Sequence, residues 1–319
     1  PKRDWSSDVC SSDLGNLKPH HHGVVATIGN FDGVHLGHQH VLGELADKAE
    51  EMGLPSMVIS FEPQPQEFFL PDSCPGRLTR FREKVKALRR LALDRLFILH
   101  FTKELASMEA EDFIQKILLD GLGVSYLVVG DDFCFGKERK GDFAMLQEAG
   151  KKHGFQVVNM RSFHIDEERV SSTRIRKALA QGDLNEAEKL LGRPYRMCGR
   201  VAHGHKRGRL IGFPTANIHL HRKRTPIDGV FAVEMFGVTG EPISGVANVG
   251  TRPTVNGTRT ILEVHLFNFD RDIYGSYVSV DFLHKIRDEQ KFDSFDLLKK
   301  QILKDAESVR IYFKNRYSI

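Results

Sequence analysis

The chain has 319 residues, 40% hydrophobic and 28% charged, with a formal charge of +4 and four cysteines lacking any CxxC spacing; a disordered tail, a disulfide scaffold and a zinc ribbon are excluded. No apolar run approaches the roughly 18 residues of a membrane span, so no membrane partner is expected and a reducing, cytoplasmic compartment is the default. At roughly 100 to 200 residues per domain, the length suggests two domains. Residues 1–14 carry Ser, Asp and one Trp without helix or strand period and are set apart as a leader, non-native or disordered. Residues 4–14 resemble a translated sequencing adaptor, although a natural flexible tail would share their composition.

From residue 15 to 192, short β-rich runs alternate with longer helical stretches. Strands are expected at 24–29, 56–61, 96–101, 126–130 and 156–160, and helices near 37–52, 80–93, 110–119, 142–153 and 172–181. The implied fold is α/β, a doubly wound parallel sheet with its ligand at the carboxyl ends of the strands. From 193 to 319 the rhythm changes to β-rich segments at 196–202, 213–220, 230–236, 244–249, 261–267 and 277–282, which predict a six-stranded antiparallel β-barrel. A C-terminal helix follows, capped by Asp293 or Ser294, with Leu298, Ile302, Val309 and Phe313 on one face. Charge divides unevenly: residues 15–193 carry 24 Lys+Arg against 26 Asp+Glu, and residues 194–319 carry 20 against 13. Such a basic excess suits nucleotide phosphates or a nucleic-acid backbone; without an aromatic-interleaved basic stripe, no nucleic-acid partner is expected.

The segment GNFDGVHLGH (29–38) leaves an expected strand and opens an expected helix. Its glycines permit a sharp turn and close approach, and the helix N-terminus directs N–H groups toward an anion. His35 and His38, three apart, can face one phosphate, though such histidines also serve as plain helix caps. In RVSSTRIRKAL (169–179), Ser171, Ser172 and Thr173 are cap residues, while Arg174 and Arg176 put cations where a structural helix prefers acids. That mismatch suggests a bound anion; a capped surface helix is the plainer alternative. GRVAHGHKRGRLIGFPTAN (199–217) concentrates glycines and cations in a loop able to wrap phosphates, without P-loop spacing. Thr215 and Asn217 alternate on an expected strand and so share a face on which they could serve as hard oxygen ligands for Mg²⁺; a glycine-rich hairpin with a polar strand is the plainer alternative. Glu263 sits in an otherwise apolar strand and needs a partner or a task.

These segments occur in order with FEPQP (61–65), RLT (77–79), GDDFCFGKERKGD (130–142), GVANVGTRPT (245–254) and ILEVHLFNFDRDIYG (261–275). The set resembles the nucleotidylyltransferase superfamily and, more narrowly, the bacterial bifunctional riboflavin kinase/FAD synthetases, from about Asn16 to the C-terminus. The resemblance implies an FMN adenylyltransferase domain at 15–192, a riboflavin kinase domain at 193–319, riboflavin, FMN and ATP as substrates, and Mg²⁺ accompanying ATP. It implies that His35 and His38 contact ATP phosphates in a turn shaped by Gly29, Asn30, Asp32 and Gly37. Ser172, Thr173 and Arg176 would close on the triphosphate, and Asp132, Phe133 and Phe135 would line the nucleotide or flavin pocket, with core packing an equal alternative for the two aromatics. In the kinase half, Thr215 and Asn217 would hold the metal. The loop with Gly204, Lys206, Arg209, Gly212 and Pro214 would cover the phosphates, and Glu263 would be the base for the riboflavin 5′-hydroxyl. One departure is Gln64, where the family usually has His. Were a proton needed there, adenylylation would be slowed, and the alternative reading is a riboflavin kinase with an impaired first domain. No oligomeric state is implied.

Overall fold

The structure is a computed structural model that describes residues 9–11, 21–130, 132–203, 212–222, 224–254 and 257–318. It divides into two compact units, Pro1–Cys74 with Phe81–Val170, and Pro75–Arg80 with Ser171–Ile319.

Among the described residues the first unit is built on a six-stranded sheet. Its strands are β1 (Val9–Ser11), β2 (Val24–Ile28), β3 (Ser56–Glu62), β4 (Arg95–His100), β5 (Val124–Val129) and β6 (Gln156–Asn159), all parallel in the order β1-β4-β3-β2-β5-β6. The central strands are almost uninterrupted apolar runs because both faces are covered. One face packs Ile28, Ile59, Phe97 and Leu127 against Phe113, Ile117, Leu118 and Leu146. The other packs Val25, Val58 and Leu96 against Leu42, Leu45, Ala49 and Leu88. The covering helices are α1 (Leu36–Met52), α2 (Pro65–Phe69), α3 (Phe81–Leu88), α4 (Lys103–Ala106), α5 (Ala110–Phe113), which runs on into a π-helical turn (Ile114–Leu119), and α6 (Phe143–His153). A hairpin of β7 (His164–Ile165) and β8 (Glu168–Arg169) ends the unit. The edge strand β1 falls inside the segment set apart as a leader: its backbone pairs Val9, Cys10 and Ser11 with Leu96, Phe97 and Ile98. An edge position needs hydrogen bonds on one side only, so three residues with no readable period are enough to fill it.

The second unit opens with two helices, α7 (Ser172–Gln181) and α8 (Leu184–Leu191). Then come the strands β9 (Tyr195–Ala202), β10 (Ala216–His219), β11 (Gly229–Phe236), β12 (Ile243–Thr254), β13 (Gly257–Leu266) and β14 (Tyr277–Arg287). They form a closed antiparallel barrel in the order β10-β13-β12-β11-β14-β9. Helix α9 (Phe295–Tyr317) starts at Ser294, whose hydroxyl accepts the Leu297 N–H at 3.2 Å. Val309 and Phe313 pack on Ala232 and Leu283, while Leu298 and Ile302, expected on the same face, are half-buried. Helix α8 is an element the sequence reading did not contain. It buries Leu184, Ala187, Leu190 and Leu191 and lies against β9 and β14. This packing ties α8 to the barrel, within the same compact unit.

Candidate functional site

In the first unit the chain leaves β2 for β3 and β4 on one side, then crosses to β5 on the other. The loops after β2 and β5 therefore diverge, opening a crevice at the carboxyl ends of the strands where doubly wound sheets take their ligands. The loop after β2 is Gly29–Asn30–Phe31–Asp32–Gly33–Val34, and three of its residues are left-handed: Phe31 (φ +47°), Gly33 (φ +87°) and Val34 (φ +44°). For Gly33 that conformation is free, but for a β-branched valine it costs about 1 to 3 kcal/mol. Phe31 and Val34 are both buried in the core with Leu42 and Leu45, and burying such a side chain contributes about 1.5 to 3 kcal/mol, enough to offset the strain. Asp32 is buried in the same turn and Asn30 is half-buried. Gly37 lies in a tight place: a Cβ there would stand 3.2 Å from the His35 ring and 3.4 Å from the Val170 carbonyl oxygen, so the ring would have to give by a few tenths of an ångström.

The two histidines are placed by the start of α1. His35 is its N-cap, and its Nδ1 accepts the His38 N–H at 3.2 Å. With Nδ1 an acceptor, neutral His35 carries its proton on Nε2, as a donor. The His38 ring stacks on it with centroids 3.5 Å apart, and His38 Nδ1 is enclosed without a hydrogen-bond partner among the described residues. Burial first, then the charges of His35, Lys84 and Arg169, hold His38 well below the usual 6.5, so it is neutral at neutral pH. Lys84 was not singled out from the sequence. It is 1% exposed, and its Nζ donates to Ser60 Oγ at 2.9 Å and to the Asn30 carbonyl at 3.1 Å, directly beneath the loop. Its only signal was its spacing, four residues before buried Leu88 on the inner face of α3.

Other expected residues are distributed differently. Asp132 is exposed in the loop after β5; Phe135 is buried against Phe113 in the core, with Phe133 stacked on it, so Phe135 is a packing residue. Gln64 is the N-cap of α2, where Glu67 Oε2 accepts its backbone N–H at 3.0 Å. Its side chain is buried and its Nε2 meets no partner among the described residues. Ser172, Thr173 and Arg176 lie on α7, in the second unit. Ser171 is the cap, Ser172 is half-buried and Thr173 exposed. Arg174 pairs with Glu186 of α8 at 2.6 Å, which accounts for its place in the first turn without an anion. Arg176 Nε donates to the Gly76 carbonyl at 2.9 Å.

In the barrel, register assembles a second set. Asn217 of β10 and Asn248 of β12 both pair directly with Glu263 of β13, so the three form one row across three strands. Leu262, Val264 and Leu266 are buried in the barrel, which puts Glu263 and His265, both half-buried, on the opposite face of β13. Asn248 was missed in the sequence; a lone amide inside the apolar run GVANVG was the available signal. Thr215 precedes β10, two residues from Asn217. The strand expected from 213 begins only at Ala216, because Gly212 is left-handed (φ +82°) and Pro214 has no N–H for the ladder. The Pro214 carbonyl instead accepts from His265 Nδ1 at 2.9 Å. Burial pushes His265 below its ordinary range, with Arg310 adding to the effect and the Pro214 contact opposing it. A cavity of about 160 Å³ adjoins, lined by Val201, Pro214, Thr215, Ala216, Val264 and Tyr274 among others. Gly204, Lys206 and Arg209 lie outside the described residues.

The family model for FAD synthetase matches residues 17–174 and that for riboflavin kinase matches residues 191–313. A protein of Haemophilus influenzae is 53% identical over 92% of this chain and 95% of its own length. One of Pseudomonas fluorescens is 49% identical (93% and 95%) and one of Escherichia coli K12 is 48% identical (91% and 93%). All three are named bifunctional riboflavin kinase/FMN adenylyltransferase. The chain belongs to this family. A solved structure titled as a macrolide-efflux protein from Streptococcus pneumoniae shares the architecture, with a TM-score of 0.78 and 32% identity over 94% of this chain and 97% of that one. No helix among the described residues here is long and apolar enough to cross a membrane.

As a bifunctional riboflavin kinase/FMN adenylyltransferase, the chain carries its riboflavin kinase chemistry in the barrel half, and the donors there fit Mg²⁺. The Thr215 hydroxyl and the Asn217 amide oxygen are hard, neutral oxygens. Mg²⁺ is held by one or two protein groups together with substrate phosphates, in preference to an all-protein cage.

Proposed function

We propose that the barrel transfers the γ-phosphoryl group of ATP to the 5′-hydroxyl of riboflavin, giving FMN and ADP. The parallel-sheet unit then joins the FMN phosphate to the α-phosphorus of ATP, giving FAD and pyrophosphate. The row Asn217–Glu263–Asn248 carries the kinase reading, because it sets a carboxylate beside the amide assigned to the metal. Glu263 orients the riboflavin hydroxyl and takes its proton as the oxygen attacks. Thr215 and Asn217 hold Mg²⁺, which when bound neutralises charge on the ATP phosphates. In the adenylyltransferase, His35 presents Nε2–H and neutral His38 a second imidazole to the phosphates, on a loop underpinned by the Lys84 ammonium. No covalent enzyme intermediate is required; catalysis is positioning and charge stabilisation. Both reactions belong in the cytoplasm, where ATP is supplied and where thiols such as Cys74, Cys134 and Cys198 stay reduced.

The test incubates the full chain with riboflavin, ATP and Mg²⁺ and separates riboflavin, FMN and FAD by chromatography. Glu263→Ala should lower FMN formation about 10²- to 10⁴-fold while supplied FMN still becomes FAD. His38→Ala should do the reverse. Loss of both steps in either folded variant would overturn the two-site assignment.

A further inference from the structure

We propose that His265 is a positioning residue of the kinase centre, whose Nδ1–H holds the Pro214 carbonyl and so sets Thr215 and Asn217 against Glu263. This rests on the metal assignment above and extends it to a side chain with no part in the chemistry. A carbonyl oxygen only accepts, so the 2.9 Å contact fixes the proton of His265 on Nδ1. The main-chain pairing of β10 with β13 runs from Ile218↔Leu262 to Ala216↔Val264. The next position would set Thr215 opposite His265, and there the imidazole side chain bridges to Pro214. Proline contributes no N–H to a ladder at that point. The ring is itself held: Phe213 meets it edge-on with centroids 4.9 Å apart, and Phe267 lies at 5.9 Å. Glu263 and His265, two apart on β13, share a face, so one strand carries both the base and the clamp on the turn that bears the metal donors. A misplacement of about 1 Å in such a site can lower the rate ~10²-fold.

The full-length enzyme is compared as wild type, His265→Phe and His265→Leu, which lack the donor, and His265→Asn, whose Nδ2 amide stands where Nδ1 stood. FAD formation from supplied FMN reports the first unit, and the circular-dichroism melt of each variant reports the folding of the barrel. The Phe and Leu variants should raise the KM for ATP in FMN formation and lower kcat/KM at least tenfold, with Asn restoring most of it. Independently of turnover, calorimetry measures ADP binding with Mg²⁺ and with EDTA. The tightening that Mg²⁺ gives the wild type should be lost in Phe and Leu and retained in Asn. Should one donor-lacking variant fail to fold, the other decides. Undiminished Mg²⁺-dependent tightening in Phe or Leu, or an Asn variant as defective as they are, would overturn the positioning role. Thr215→Ala separates the two ideas. If it loses the Mg²⁺ effect while the His265 variants keep it, only the clamp fails; if it keeps the effect, the metal assignment fails.

Discussion

His38 is a histidine that the fold keeps uncharged, and that choice has a measurable consequence. Its folded-state value lies below the unfolded 6.5, so the neutral form favours folding in full above pH 6.5, and this contribution is lost as pH falls through the folded value. Denaturant melts at pH 7.5, 6 and 5 should show stability declining on the acid side, and His38→Asn should flatten that decline. Lys84→Met removes one of the charges that depress His38, so the His38 ring proton followed by NMR should titrate at a higher pH. It also strips a donor from the Asn30 carbonyl and Ser60 Oγ, costing about 1 to 3 kcal/mol of stability, and FMN formation in the barrel should be spared. At this scale a residue's placement was legible where it sits in a motif, as for His35 and His38 at the start of α1 and Glu263 on β13. It was not legible where a role depends on burial or on a partner far along the chain. Only its spacing from Leu88 sets Lys84 apart from the exposed Lys86 of α3, and nothing in the sequence shows that Glu186 pairs with Arg174.

Helix α9 shows how an element is fastened by polar groups as well as by its apolar stripe. Asp305, 4% exposed, accepts from Arg287 Nε at 3.0 Å and Nη2 at 2.8 Å and from Gln301 at 2.8 Å. Asp305→Ala would leave the Arg287 guanidinium without its partner and should lower barrel stability by about 3 to 5 kcal/mol, read as a lower midpoint for loss of FMN formation on heating. Replacing both, Arg287→Met with Asp305→Leu, should recover much of that, since an apolar pair escapes the desolvation penalty. The sheet strands were readable because both-face burial writes long apolar runs, and the barrel strands because turns punctuate them. The hairpin of β12 and β13 runs further than expected because its outer strand residues, TRPT at 251–254 and GTRT at 257–260, show no apolar alternation. Helix α8 had signals at both ends, Asp183 capping Glu186 N–H at 2.9 Å and Gly192 at φ +72°, but only eight residues between them.

For the whole molecule, the order of motifs identified the family from sequence, whereas the place of α8 was not legible there, because it is set by packing against β9 and, far along the chain, β14. The charge split, 24 basic against 26 acidic residues in 15–193 and 20 against 13 in 194–319, makes the two activities separable by salt. At 0.5 M KCl, where screening reaches only a few ångströms, the KM for ATP should rise more in FMN formation than in FAD formation. The strained turn at Phe31–Val34 bears on the second of these reactions. With both side chains locked into the core, its shape is settled when the chain folds, before any nucleotide arrives. On the ATP assignment proposed for this loop, the nucleotide would meet a preformed cradle, so its capture should proceed in a single kinetic phase, with little of the unfavourable entropy that accompanies the freezing of a mobile loop.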